Sequence, residues 1–321
     1  MAFQAPKPTP KGLWRRTPPA MFPPVMGLLG LGLAWRRGIN EFALPPALAD
    51  ALMGAVTILG LFAVLTYVVK FMRRPGVVLE DLRILPGRGG LAAGVLCLYL
   101  LAAAFGPYAP EQARPLLLTG IGVHLALTVA VVFVFATGPA EQRRVSPVWH
   151  LLFSGWIVAA MVSQGLGLMQ LGVALFWVAL AAAVAIWSIS LGQLSRETVP
   201  APLRPFLAIH LAPAALLATV AHGFGAAAMA QAFAILTAII LGGLVLRGRW
   251  LLAGEFSPMW GALTFPLAAT ANAWLSLGGV WRLPGAFALI LATLAIPPIA
   301  VKIFKLWAKG QLAVKTNAAT A

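Results

Sequence analysis

The apolar residues of this chain fall in long, nearly uninterrupted blocks. They do not follow the alternating or three-to-four-residue spacing of elements buried on one face, and short clusters of Arg, Lys, Pro and Gly divide them. A helix needs ~20 mostly apolar residues to cross a ~30 Å hydrocarbon layer. Ten blocks approach that length, at residues 21–35, 47–72, 89–105, 114–137, 148–169, 170–194, 207–224, 226–246, 258–278 and 284–306. They predict an all-α integral membrane protein of ten transmembrane helices. The fifth and sixth blocks are parted only by Gly165-Leu-Gly-Leu-Met-Gln170, read as a tight external turn, because one merged helix would overshoot the bilayer about twofold.

Composition points the same way. Of 321 residues, 61% are hydrophobic and 10% charged, whereas a soluble domain carries about 25% charged residues. The net charge of +15 would fit a nucleic-acid binder only if the basic residues gathered on one face among aromatics. Here they flank the apolar blocks, so no nucleic acid is expected as a partner and the lipid bilayer is.

Cytoplasmic connections are enriched in Lys and Arg. With the N-terminus inside, only Arg36, Arg37, Arg114 and Arg282 fall outside, and the other 19 of the 23 basic residues face the cytoplasm. This asymmetry favours an even number of crossings and both termini cytoplasmic, in a multi-pass protein of the bacterial inner (plasma) membrane. Residues 1–20, proline-rich, basic and without a small-residue cleavage site, are expected to form a disordered cytoplasmic leader. Residues 21–308 form the expected ten-helix domain and 309–321 a cytoplasmic tail. Short external and longer, charged cytoplasmic connections pair the blocks as five hairpins, although no repeat is visible residue by residue. The single cysteine, Cys97, can form no internal disulfide and reads as core filler.

Chemistry inside the blocks is sparse. Each of the 8 acidic residues, from Glu41 to Glu255, lies in a connection or within about a turn of a block end, which argues against a carboxylate proton relay. His124, His150, His210 and His222 are scattered, with no spacing that sets two on one helical face. Neither a metal nor another cofactor is therefore expected, nor an intramembrane enzyme. The run Gly27-Leu-Leu-Gly30-Leu-Gly32 lacks the Lys-Ser/Thr of a phosphate loop and reads as small residues for close helix packing. Proline placement says more. Proline within a helix removes a backbone hydrogen bond and frees a carbonyl. Pro213 lies in the seventh block, Pro266 in the ninth, Pro23 and Pro24 open the first, and Pro297 and Pro298 stand in the tenth.

Three stretches, Phe22-Pro-Pro-Val-Met-Gly-Leu-Leu-Gly-Leu-Gly-Leu-Ala-Trp35, Leu203-Arg-Pro-Phe-Leu-Ala-Ile-His-Leu-Ala-Pro-Ala214 and Phe256-Ser-Pro-Met-Trp-Gly-Ala-Leu-Thr-Phe-Pro-Leu267, resemble the tellurite-resistance/dicarboxylate transporter (TDT) family. That family takes in TehA-type bacterial proteins and the plant slow anion channels. The resemblance implies five tandem hairpins around a pseudo-fivefold axis, with the odd-numbered helices around a central pore, and a homotrimer with one pore per protomer. In the family a phenylalanine of the ninth helix plugs the pore, and its match here, by its place before Pro266, is Phe265. Thr264, His210, Pro24, Pro213 and Pro266 are the expected pore-lining or kink residues.

The function so implied is passage of small inorganic or organic anions through a pore gated by Phe265. The alternative is a proton-coupled exporter of an anion such as tellurite, sulfite or a C4-dicarboxylate, with His210 as the coupling group. A charge-poor interior fits the channel better, since proton coupling calls for a titratable group in the path.

Overall fold

The computed structural model describes residues 12–321, which contain helices and no strand. In chain order the α-helices are α1 Phe22–Phe42, α2 Ala47–Arg73, α3 Val77–Arg83, α4 Leu85–Phe105, α5 Pro110–Thr137, α6 Trp156–Gly165, α7 Met169–Leu194, α8 Leu211–Gly223, α9 Ala227–Leu246, α10 Gly248–Leu251, α11 Thr264–Leu277, α12 Arg282–Ala308 and α13 Gln311–Lys315. Tighter 3-10 segments, Pro19–Met21, Ala201–His210 and Pro258–Leu263, run directly into α1, α8 and α11, and a wider π turn, His150–Ser154, precedes α6.

Among the described residues seven helical stretches are long and apolar enough to cross a membrane: α2, α4, α5, α7, Ala201–Gly223, α9 and Gly279–Ala308. The other three of the ten expected blocks correspond to α1, α6 and α11. The first of these carries Arg36, Arg37 and Glu41 in its second half, and the other two have only 10 and 14 residues. These two are short because the chain before each is wound as a π or 3-10 turn.

The helices pack as hairpins, α1 with α2, α4 with α5, α6 with α7, α8 with α9 and α11 with α12. The first member of each pair also packs on the first member of the next, in the order α1, α4, α6, α8, α11 and back to α1, so these five close a ring. Burial follows the same division. In α4 and Ala201–Gly223, 83% and 78% of the apolar window is buried, against 17% to 33% for α2, α5, α7, α9 and Gly279–Ala308. A helix apolar on every side yet mostly uncovered has its outer face left for lipid. The expected tight turn between the fifth and sixth blocks is present at residues 166–168, and Gly167 takes the positive φ of 79° that a side chain would resist.

Pro213 and Pro266 act differently from the mid-helix kinks expected of them, while Pro24 opens its helix as expected. Pro24, Pro213 and Pro266 are each the third residue of α1, α8 and α11, straight after a 3-10 segment. The first four N–H groups of an α-helix have no partner within the helix, so proline there sacrifices no α-type bond. Each marks the change from 3-10 to α winding. Proline lies well inside a helix at Pro115 of α5 and at Pro297 and Pro298 of α12, all on outer helices.

Small residues let the inner segments touch backbone to backbone. A Cβ on Gly90 of α4 would stand 2.3 Å from the Pro19 carbonyl. Gly90→Ala is therefore expected to destabilise the fold by about 1–3 kcal/mol, read as a lower melting temperature in detergent. Gly122→Ala on α5, where a Cβ meets nothing within 4 Å, should not lower it.

The described part of the N-terminal segment is ordered where disorder was expected. Of the leader expected to be disordered over residues 1–20, residues 1–11 lie outside the described part. From Thr17 onward the chain is buried, and Pro19–Met21 is helical. The tail expected at 309–321 turns through α13 and lies back on the same end of the molecule. The Ala321 N–H donates to the Arg15 carbonyl at 2.9 Å, and the Ala319 N–H donates to Asp81 Oδ1 at 2.8 Å. Desolvation of the hydrophobic start of α1 explains this order, because Met21 and Leu312 are both fully buried.

Candidate functional site

The ring of inner segments surrounds a small central cavity of about 40 Å³. Every inner segment contributes to its wall. Ala20 comes from Pro19–Met21, Pro23 and Met26 from the start of α1, Pro86, Gly89, Gly90 and Ala93 from α4, and Leu151 from the π turn. Phe206, Ile209 and Ala212 come from the Ala201–His210 segment and α8, while Pro258, Met259, Gly261, Ala262, Phe265 and Pro266 come from the last inner segment. No charged or hydrogen-bonding side chain is among them. The 3-10 segments explain how so many small residues and prolines reach one place: three residues per turn eclipses i and i+3 on one face, as Met259, Ala262 and Phe265 of the wall are spaced.

Phe265 sits in this wall, 6% exposed. Its ring leans on Gly30 of α1, where a Cβ would come within 2.9 Å of Cδ2. Thr264 turns the other way. Its hydroxyl donates to the Gly261 carbonyl at 2.7 Å and the Pro23 carbonyl at 3.1 Å, and the side chain is fully buried against Gly27. The expectation that Thr264 lines the path is therefore corrected: it fastens α11 to α1. Of the prolines, Pro266 lines the cavity, whereas Pro24 and Pro213 do not and act through backbone winding.

His210 also lies elsewhere than expected. It is 9% exposed and faces outward, into a crevice against α7, not into the central cavity. Its Nδ1 is 2.9 Å from His150 Nε2, and His150 Nδ1 is 2.9 Å from Ser154 Oγ. The Trp187 indole N–H donates to the His210 carbonyl at 3.2 Å, holding the end of the 3-10 segment against α7. Sequence spacing gave no hint of the histidine pair, since its members are sixty residues apart on different inner segments. His124 is a packed residue: Nδ1 meets the Tyr99 hydroxyl at 3.0 Å, Nε2 meets the Leu152 carbonyl at 2.7 Å, and the ring stacks on Trp156. Among the described residues no group of three His, Cys, Asp or Glu could hold a metal.

One buried charge pair went unread in the sequence. Asp81, placed by hydropathy in a connection, and Lys70 of α2 are both fully buried, with Nζ 2.8 Å from Oδ2. Beside them Arg74 forks onto Glu80 at the surface, and its hydrogen bonds hold the Glu80 carboxyl below its ordinary range.

The geometry is that of a membrane-embedded bundle around a small cavity walled by uncharged side chains. No individual curated protein matches the chain. The sequence profile of the voltage-dependent anion channel (SLAC1) family matches residues 16–306, from before the first inner helix to the end of the last outer one, and the chain belongs to that family.

Proposed function

We propose that the chain crosses the membrane ten times, as five hairpins in a pseudo-fivefold arrangement, and conducts small anions passively down the axis of the inner ring, with Phe265 as the gate. The short inner helices reach across because each continues a differently wound segment. Six residues of 3-10 helix and 14 of α-helix in Pro258–Leu277 extend roughly 33 Å, enough for the hydrocarbon layer. The reading rests above all on the central cavity, drawn from every inner segment and walled only by apolar side chains with Phe265 among them. Such a wall offers an anion no fixed charge to hold it, so release stays fast, while a hydrophobic ring closes the path by sterics and dewetting. The Arg- and Lys-rich ends, including the described parts of both terminal segments, face the cytoplasm of the bacterial inner membrane, and the assembly is a homotrimer with one pore per protomer.

The test is electrical. Purified protein in a planar bilayer should carry a current whose reversal potential moves by about 59 mV per tenfold gradient of a monovalent anion, without dependence on a pH gradient. Uptake of labelled anion that tracks an imposed pH gradient, with no current, would instead establish the proton-coupled exporter. In that case His210 is poorly placed as the coupling group, because it faces away from the central cavity.

A further inference from the structure

A second cavity, of about 510 Å³, opens on the Arg-rich end between the Ala201–His210 segment, the end of α7 and the chain around residues 141–147. It shares only Phe206 with the central cavity. Two features mark it as built for a ligand. First, four buried polar atoms without a partner belong to residues that line it: His210 Nε2, Ser190 Oγ, Ser146 Oγ and Gln142 Oε1. His210 and Ser190 are themselves more than nine-tenths buried. A buried polar group left unmade is costly, and so many in one place call for an occupant. Second, Arg88 lines the same crevice while 5% exposed. Its guanidinium donates to the Leu82 carbonyl at 3.1 Å and lies over the Phe135 ring, and among the described residues it has no carboxylate partner. A buried charge needs a counter-charge. Of the acidic residues present, Glu197 is paired with Arg144, leaving Glu141 against Arg83 and Arg88.

The hydrogen bonds also fix what His210 offers. Ser154 Oγ–H donates to the His150 carbonyl, so Ser154 Oγ accepts from His150 Nδ1–H. Neutral His150 then accepts at Nε2 from His210 Nδ1–H. His210 Nε2 is left as an acceptor at the crevice, beside hydroxyl donors and an arginine. A ligand matching that set carries negative oxygens and one O–H.

We propose that this crevice is a binding site for a phosphate group bearing a P–OH, either free hydrogenphosphate or the singly protonated form of a phosphomonoester. Arg88 and the hydroxyls of Ser190 and Ser146 donate to its oxygens, and its P–OH donates to His210 Nε2. Sulfate lacks that proton at neutral pH. The crevice continues into an apolar groove between α7 and α9, sharing Ser190, Leu194 and His210 with it, so the phosphomonoester headgroup of phosphatidic acid is a second possible source of the same chemistry.

The test uses the full chain in detergent. Inorganic phosphate at constant ionic strength should raise Tm saturably by about 2–4 °C, sulfate should do less, and Ser190→Ala and Arg88→Met should each abolish the phosphate effect. Arg88→Met, relieved of an unmatched charge, should melt no lower than wild type without phosphate. A shift produced only by phosphatidic acid micelles, and not by phosphatidylglycerol, would assign the lipid source. The proposal is overturned if neither probe stabilises wild type, if sulfate equals phosphate, or if the shift survives in both variants.

Discussion

Replacing Phe265 with alanine is expected to raise the anion current by about 10²-fold or more. The ring stands in the wall of a small apolar cavity of about 40 Å³, so an ion at that level must shed most of its hydration. Removing an ion from water costs several kcal/mol even after the protein relaxes, and each ~1.4 kcal/mol taken from the barrier is tenfold in rate. Without the ring the constriction joins the cavity and admits hydrating water. The substitution also removes a buried aromatic, which in a packed core costs about 3–5 kcal/mol, so expression and Tm must be followed alongside the current. Phe265→Leu serves as the milder companion: it retains an apolar plug and should conduct between wild type and alanine. Thr264→Val, by contrast, should leave conductance near wild type and lower Tm, since Thr264 binds carbonyls of Gly261 and Pro23 and not the path. A folded Phe265→Ala protein with no more current than wild type would remove Phe265 from the gate.

The outer helices were the legible part of the sequence. Lipid on one side and protein on the other leave α2, α5, α7 and α9 as unbroken apolar runs, and their ends fall within a few residues of the apolar blocks. The inner segments were harder because they depend on small residues and 3-10 winding, which leave only scattered glycines and prolines in the sequence. Pro213 and Pro266 stand out in the sequence, but nothing local tells a helix interior from a junction between two kinds of helix. The place of Phe265 before Pro266 singles it out only through the family resemblance. The direction of Thr264, by contrast, is set by its hydrogen bonds to the Gly261 and Pro23 carbonyls, the second a contact between segments that helical periodicity does not show. The histidine pair and the Lys70–Asp81 pair share one cause of invisibility: their geometry comes from packing between segments, and hydropathy counts each residue alone.

The Lys70–Asp81 pair carries the largest expected effect on stability. Both side chains are fully buried, and the site is completely wired around them. Asp81 Oδ2 accepts from Lys70 Nζ at 2.8 Å and from the Tyr67 hydroxyl at 2.9 Å, while Oδ1 accepts from the Ala319 N–H at 2.8 Å. Lys70 Nζ also donates to the Thr17 carbonyl at 3.0 Å. One ion pair thus joins α2, α3, the approach to α1 and the tail. Truncating either partner strands a charge in a dry site, at a cost of about 3–5 kcal/mol. Lys70→Met and Asp81→Leu should therefore each lower Tm sharply, and amides of the tail and of residues 17–21 should exchange faster with deuterium. The double variant should recover most of the Tm, because two apolar side chains leave no unpaired charge, but not the protection of Ala319, which loses its acceptor. The neighbouring Arg74–Glu80 pair is the control. About half exposed, it should contribute no more than about 1 kcal/mol. Because the Glu80 carboxyl is held low, that contribution is present above the ordinary carboxylate range and fades as pH falls through the depressed value. If the double variant melts as low as the sum of the two singles, the pair acts through something other than mutual neutralisation.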